Sequence, residues 1–333
     1  MKLRESPSVL IHVGFHKTAT TLLQRTFFEK KQLGFYQYQR GQCSQLVHRQ
    51  LANLGPFDKL ANETINELRQ FSQEAAEKGL LGVISHERLS GYPASGGFDS
   101  KLILEHIQEI FPNAKITIVI REQVSLIQSV YSQMITDGGG YSLRDFLNSI
   151  EPFMVRIPQF RLSFYEFDKY IDYCQTLFGK DNVLVLPYEL LKENYQEFYD
   201  RIGFFALPDD WEKIKNSQVI EKNSVVNAKK SILLQHISRV LNSLFYKNQL
   251  SNSALFRIKS LPKQLRKSNQ FFNAITPNFI EKNIEQKMKN AIAEYVGSYY
   301  SESNARTSKL IGIDLTHYNY QIARISDRES LKE

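Results

Sequence analysis

The chain has 333 residues, 42% of them hydrophobic, with a formal net charge of +7. That length and apolar content are enough for a full α/β core, as one large domain or one domain with an appendage, and the positive balance favours anionic ligands without choosing among nucleotide, acidic glycan, nucleic acid and membrane surface. No stretch approaches the roughly 20 apolar residues of a membrane span, residues 1–8 lack an apolar leader core, and the two cysteines, Cys43 and Cys174, show no metal-ligand spacing, so the expectation is a soluble, cytoplasmic protein in a reducing compartment.

Val9 to Val13 is a β-branched apolar run, which predicts a buried strand. Gly14 permits the turn out of it, and Thr18 to Phe28 predicts a helix with Leu22, Leu23, Thr26 and Phe27 on its inner side. Between them, Lys17, Thr18, Thr20 and Thr21 supply side-chain donors beside the unpaired N–H groups and positive dipole end of a helix. Such a turn is an anion cradle, and the expected ligand is a phosphate. The plainer reading is a strand–helix turn with a solvated lysine. The nucleotide P-loop differs, because no second glycine precedes Lys17 and the lysine follows Gly14 by only three residues.

The polar segment from Lys30 to Asn53 carries no assignable period. Asn62 to Lys78 predicts a helix ended by Gly79, and Leu80 to Ser85 a second buried strand running into His86-Glu87-Arg88. Gly91 to Gly97 reads as loop, Ser100 to Phe111 as helix, and Lys115 to Ile120 as the third strand, followed by Arg121-Glu122. Ser125 to Thr136 and Phe167 to Phe178 are helical, and Asn182 to Leu186 is a fourth strand before Pro187-Tyr188-Glu189. This alternation predicts an α/β fold with a doubly wound parallel sheet and helices on both faces. Ligands in such a sheet lie beyond the C-terminal strand ends. Further on, an amphipathic helix carries Leu233, Ile237, Val240, Leu241, Leu244 and Phe245, and Pro277 to Ser303 is again helical. Between Ile220 and Gln270 ten Lys or Arg face one acidic residue, Glu221; this is either a solvated helical face or a track for a polyanionic or lipid-linked glycan.

The order strand–G-x-x-K-T-x-T-T–helix resembles the 5′-phosphosulfate loop of the sulfotransferase superfamily, whose donor is 3′-phosphoadenosine-5′-phosphosulfate (PAPS). The resemblance implies donor contacts from Gly14, His16, Lys17, Thr18, Ala19, Thr20 and Thr21. Arg121 followed eight residues later by Ser129 resembles the family's 3′-phosphate element, where a guanidinium grips by two donors and a hydroxyl adds a third. A structural ion pair of Arg121 with Glu122 or Glu87, and a solvated Ser129, are the competing readings. Tyr188 stands where the family often places an aromatic near the adenine; core packing is the alternative.

Ser85-His86-Glu87-Arg88-Leu89-Ser90 resembles the S-x-E-x-L-S segment of bacterial and glycan sulfotransferases. It implies Glu87 as catalytic base, with His86 a supporting or substrate contact and His16 a third candidate. Adjacent residues on an extended segment point to opposite sides, so only one of His86 and Glu87 is expected to face the donor sulfur. Lys17 would hold the bridging oxygen and stabilise the leaving phosphate. His12, inside the first strand, reads as a satisfied core histidine.

The C-terminal Tyr318-Asn319-Tyr320 resembles the family's Y-G-Y ending with asparagine in place of glycine, and the R-K-G-x-x-G element of the small-molecule branch is absent. The glycan-type branch is therefore the better match. It implies a P-loop-like parallel sheet flanked by helices, with residues 1–210 as the PAPS-binding core and 211–333 as a helical C-terminal region shaping the acceptor site within the same domain. The implied acceptor is a carbohydrate, anionic or lipid-linked, with peripheral membrane contact open and no nucleic acid. No metal is expected, because the third strand ends in arginine where a kinase would carry a Mg²⁺-supporting aspartate. The alternatives are a non-catalytic nucleotide- or glycan-binding protein and a P-loop small-molecule kinase.

Overall fold

The computed structural model describes residues 9–52, 54–55, 57–148, 160–217, 231–246, 258, 261–267 and 277–323. In chain order the strands are β1 (Val9–Gly14), β2 (Phe35–Gln37), β3 (Leu81–Ser85), β4 (Lys115–Ile120) and β5 (Val183–Pro187). The helices are α1 (Thr20–Leu23), α2 (Arg40–Leu46), α3 (Asn62–Glu77), α4 (Ser100–Ile110), α5 (Gln123–Thr136), α6 (Leu143–Leu147), α7 (Phe167–Phe178), α8 (Tyr188–Glu193), α9 (Tyr195–Ala206), α10 (Trp211–Ser217), α11 (Ile232–Phe245), α12 (Leu261–Lys267), α13 (Asn278–Val296) and α14 (Ser301–Ile311). The chain forms two compact units. The first holds Met1–Glu122, Ser163–Asn223 and Tyr300–Glu333, and the second Gln123–Leu162 and Ser224–Tyr299.

The first unit carries a five-stranded sheet in the order β2-β3-β1-β4-β5. Every pairing is parallel: Val9 with Gly82, Leu10 with Lys115, Phe35 with Leu81, and Ile116 with Val183. The expected parallel α/β sheet is therefore present, and the apolar runs have their cause: β1 is buried along its whole length. One strand was not legible, β2, which lies inside the polar Lys30–Asn53 segment and contributes only three residues at the sheet edge. The first helix also differs. It is α-helical only over Thr20–Leu23 and widens into a π turn at Gln24–Phe28.

Large aromatics fill the core around the sheet. Phe27 stacks on Tyr199 with ring centroids 4.7 Å apart, and Phe28, Phe35 and Trp211 complete that cluster. A second cluster surrounds Phe15, with Phe164, Phe167 and Tyr170 at 5.0–5.5 Å in edge-on geometry. The chain after β5 forms two helices in succession, because Asn194 ends α8 and caps α9 by accepting from Glu197 N at 3.1 Å. The helix expected over 277–303 is likewise divided, at Gly297, whose φ is 49°.

In the second unit α5 packs against α11 and α13. Asn242 of α11 donates to the carbonyls of Ile135 (2.8 Å) and Gly139 (3.1 Å), stitching α11 to the glycine break after α5. The buried carboxylate of Glu281 in α13 accepts from Ser231 Oγ and from Ile232 N (2.6 Å), and so satisfies the start of α11. Of the basic excess between 220 and 270, Lys222, Lys229, Lys230, Lys247, Arg257 and Lys259 lie outside the described residues.

Candidate active site

The loop after β1 is built by close approach. A Cβ on Gly14 would lie 2.2 Å from Thr20 Oγ1 and 3.1 Å from Thr18 Oγ1, so only glycine lets the threonines turn in over the strand end. Thr18 donates through both its N–H (3.2 Å) and its hydroxyl (2.5 Å) to Phe15 O, closing the turn. Lys17 and Ala19 are held left-handed, with φ of 70° and 67°. For residues with a side chain that conformation costs ~1–3 kcal/mol each and gathers at ligand sites. Alternating hand across a short loop is also how backbone N–H groups are made to converge on an anion. Ala19 precedes α1 without any side-chain cap, and the Thr20 hydroxyl is buried without a partner among the described residues. The loop thus keeps donors in hand for a ligand, and Lys17 is exposed beside them.

Arg121, directly after β4, joins this loop. Its Nη1 donates to Lys17 O at 3.1 Å, and its guanidinium lies 5.1 Å from the Tyr188 ring centroid. Its Nε is buried and meets no partner among the described residues. Beneath it, Glu189 accepts from Glu122 N and from Tyr320 OH, each at 3.2 Å. Burial raises the Glu189 carboxyl, a shift that its hydrogen bonds and Arg121 only partly offset. Tyr188 opens α8 and also carries Lys192 at 4.6 Å, so its ring is a platform for cations. Ser129 lies in α5 of the second unit, and its hydroxyl donates to Ser125 O at 2.9 Å along its own helix.

The end of β3 gathers the titratable groups. Ser85 is the hub: its Oγ lies 2.7 Å from His12 Nδ1, and its carbonyl accepts from Gln24 Nε2 (2.7 Å) and Cys43 Sγ (3.6 Å). His12 is fully buried, and burial holds it down at about 3, so it is a neutral core histidine; of the satisfied ring expected, only Nδ1 is matched, and Nε2 meets no partner among the described residues. The extended path ends at His86 (φ −159°, ψ 136°), and Glu87 already begins a 3₁₀ turn through Ser90. The expectation that strand alternation separates the two side chains therefore stops one residue early. His86 Nδ1 accepts from Arg88 N at 3.0 Å, which fixes that nitrogen as an acceptor and favours the neutral ring. Burial lowers His86 further, helped by His48, whose ring stands edge-on at 5.3 Å.

Glu87 feels His86, His16 and Lys17 at once. Burial alone would raise its carboxyl, but those neighbours and a backbone hydrogen bond together hold it below the usual range. His16 is lowered to about 4, chiefly by burial, and its ring meets Tyr92 edge-on at 5.8 Å. Arg88 is engaged by Asp99 and lies over the Tyr92 ring at 5.5 Å. The structure thus unites Lys17, His16, His86, Glu87, Arg121 and Tyr188 along one sheet edge. His48, Asp99, Glu189 and Tyr320 were missed by sequence reasoning. Two had a signal: Glu189 as the residue after Pro187-Tyr188 at a strand end, and Tyr320 as the last residue of the Tyr318-Asn319-Tyr320 ending.

No protein-family model matches the chain, and no curated protein matches it. Among solved structures the chain is similar to a sulfotransferase from Alicyclobacillus acidocaldarius, at 14% sequence identity and a TM-score of 0.46, over 95% of this chain and 99% of that one.

Proposed function

We propose that the chain is a sulfotransferase that moves a sulfuryl group from PAPS to a hydroxyl of a carbohydrate acceptor. One observation carries this reading: the 3.1 Å bond from Arg121 to Lys17 O, which brings two anion-binding elements to the same sheet edge. The fit to a bisphosphorylated nucleotide is supported by the donors left unmatched there, Thr20 Oγ1 in the loop and Arg121 Nε beside it. In this reading Gly14 to Thr21 receive the 5′-phosphosulfate, Arg121 the 3′-phosphate, and Tyr188 borders the adenine while holding the guanidinium in place; Ser129 keeps only the role that its spacing from Arg121 implies.

The acceptor oxygen attacks sulfur in line, forming the new S–O bond as the bridging S–O bond to phosphate breaks. The electron pair leaves with 3′,5′-adenosine bisphosphate, and Lys17 neutralises the charge that develops on the bridging oxygen. The hydroxyl proton passes to Glu87, which is ionised at neutral pH because its carboxyl is held low. His86, uncharged at that pH because burial lowers it, is the second candidate base. The chemistry asks nothing of a metal. The buried free thiols of Cys43 and Cys174 support a cytoplasmic setting.

The test is transfer of labelled sulfate from PAPS to a panel of oligosaccharides in the presence of a chelator. Transfer that survives chelation is the expected result. Binding of 3′,5′-adenosine bisphosphate with no turnover on any member of the panel would instead make this a non-catalytic nucleotide-binding protein. Phosphate transfer from ATP that requires Mg²⁺ would make it a small-molecule kinase.

A further inference from the structure

In the second unit α11 turns its apolar side outward. Its buried residues are Ile232, Leu234, Ser238 and Asn242, so the side that packs inward is half polar. Asn242 is spent on the carbonyls of Ile135 and Gly139, and next to it Ser243 Oγ donates to Gly140 O at 2.9 Å. The other side carries Leu233, Ile237, Val240, Leu241 and Leu244, linked by steps of three and four residues into one stripe. Ile237, Val240 and Leu244 are 36%, 47% and 41% exposed. Ile258, whose N–H donates to Phe245 O at 2.8 Å, sets another exposed aliphatic at the end of the helix. Single exposed aliphatics are ordinary, but a stripe along about three turns of one helix marks an interaction surface.

The charge around this helix has one sign. From Lys222 to Ile280 the sequence holds ten Lys or Arg and no Asp or Glu. Arg239 is on α11 itself. Lys263 and Lys267 are exposed, one turn apart, on α12, which packs against α11.

We propose that α11 docks the chain on the surface of an anionic lipid bilayer. The stripe enters the boundary between headgroups and acyl chains, and the cations of α11 and α12 meet lipid phosphates. Both halves of the surface decide the partner. A polyanionic glycan or a nucleic acid would use the cations and leave the apolar stripe in water. A second copy of the chain would cover the stripe, but a two-fold contact sets each basic surface against its twin. With 14 residues, α11 is about 21 Å long and cannot cross a hydrocarbon core of roughly 30 Å. No described helix is long and apolar enough to do so, which makes this a contact with one leaflet. The docking goes beyond the sulfuryl-transfer reading and does not depend on it.

The experiment pellets the full chain with sucrose-loaded vesicles, either phosphatidylcholine alone or equal parts phosphatidylcholine and phosphatidylglycerol. The anionic vesicles should bind at least tenfold more tightly than the neutral ones, and high salt should weaken that binding. Val240→Ser with Leu244→Ser, and separately Lys263→Gln with Lys267→Gln, should each weaken it by tenfold or more. All four side chains are exposed, so both pairs keep the fold. Insertion is read directly by an environment-sensitive fluorophore on Leu244→Cys, a selective label because Cys43 and Cys174 are buried. Its emission should move to the blue on anionic vesicles. No pelleting, or pelleting with unmoved emission, would overturn the proposal. So would vesicle binding that the serine pair leaves intact, which marks a track for polyanions. A dimer in sedimentation velocity that the serine pair dissolves, with no vesicle binding, would assign the stripe to self-contact instead.

Discussion

Arg121 holds the carbonyl oxygen of Lys17, the residue whose side chain is the proposed leaving-group cation. The guanidinium therefore acts on the loop twice, through its charge and by fixing the backbone on which Lys17 sits left-handed. Arg121→Ala removes both and should weaken binding of 3′,5′-adenosine bisphosphate by about 10- to 100-fold, the range for losing one or two charge-assisted hydrogen bonds. Arg121→Lys keeps a charge but loses the planar fork and should recover only part of that affinity. Calorimetric titration of both variants decides it, and wild-type affinity in the alanine variant would remove Arg121 from the site.

Glu87 and His86 are separable by substitution. With Glu87 as the base, Glu87→Gln should lower kcat by about 10²- to 10⁴-fold while leaving adenosine bisphosphate affinity nearly unchanged. His86→Asn should cost less than tenfold. Because the Glu87 carboxyl sits below its ordinary value, the wild-type rate should be level across neutral pH and fall only in the acid range, where the carboxylate is protonated. The reverse ranking of the two variants would transfer the role to His86.

Acid should unfold this protein early, and His12 supplies part of the reason. It titrates near 3 in the folded chain against 6.5 when free. The unfolded state therefore takes up the proton first. The contribution is complete above about pH 6.5 and is lost as pH falls from there toward 3, at up to ~1.4 kcal/mol per pH unit for this one group. Urea unfolding at pH 7, 6 and 5 should show that decline. In His12→Gln the slope should be shallower, whatever the cost of the substitution at pH 7.

Gly203 of α9 lies against the indole of Trp211, where an added Cβ would come within 2.0 Å of Cδ2 and Cε2. The indole is fully buried and its Nε1 donates to Asp200 at 3.0 Å, so it has nowhere to retreat. Gly203→Ala should cost about 1–3 kcal/mol or more and lower Tm by several degrees. Gly41 in α2 is the contrast, with nothing within 4 Å of the added carbon. Gly41→Ala should leave Tm unchanged or raise it slightly. Equal destabilisation in both would show that the Trp211 contact is not the cause.

The long apolar strands and the glycine–lysine–threonine turn were readable because a buried parallel strand and a tight strand-to-helix turn each impose a local residue requirement. Lys17, Thr20 and Arg121 met theirs within a few positions of a strand end. β2 was hidden because an edge strand of three residues, Phe35–Gln37, needs only Phe35 to be fully buried. His48, Asp99 and Tyr320 were hidden because they reach His86, Arg88 and Glu189 from elsewhere in the fold, across 38, 11 and 131 positions of sequence. The odd ending Tyr318-Asn319-Tyr320 has a local explanation after all. Asn319 sits at φ 63°, a conformation that glycine enters freely and asparagine tolerates better than most.

The π turn at Gln24–Phe28 makes this stretch of chain sensitive to its own length. Removing one residue there would let the helix regularise, and each downstream side chain would swing by about 100° about the axis. Phe27 and Phe28 would leave the aromatic cluster, or else Gln24 would leave the Ser85 carbonyl at the end of β3. Homologous chains that keep both seats should therefore carry the same spacing between Lys17 and Phe28, with insertions and deletions confined to the loops that follow.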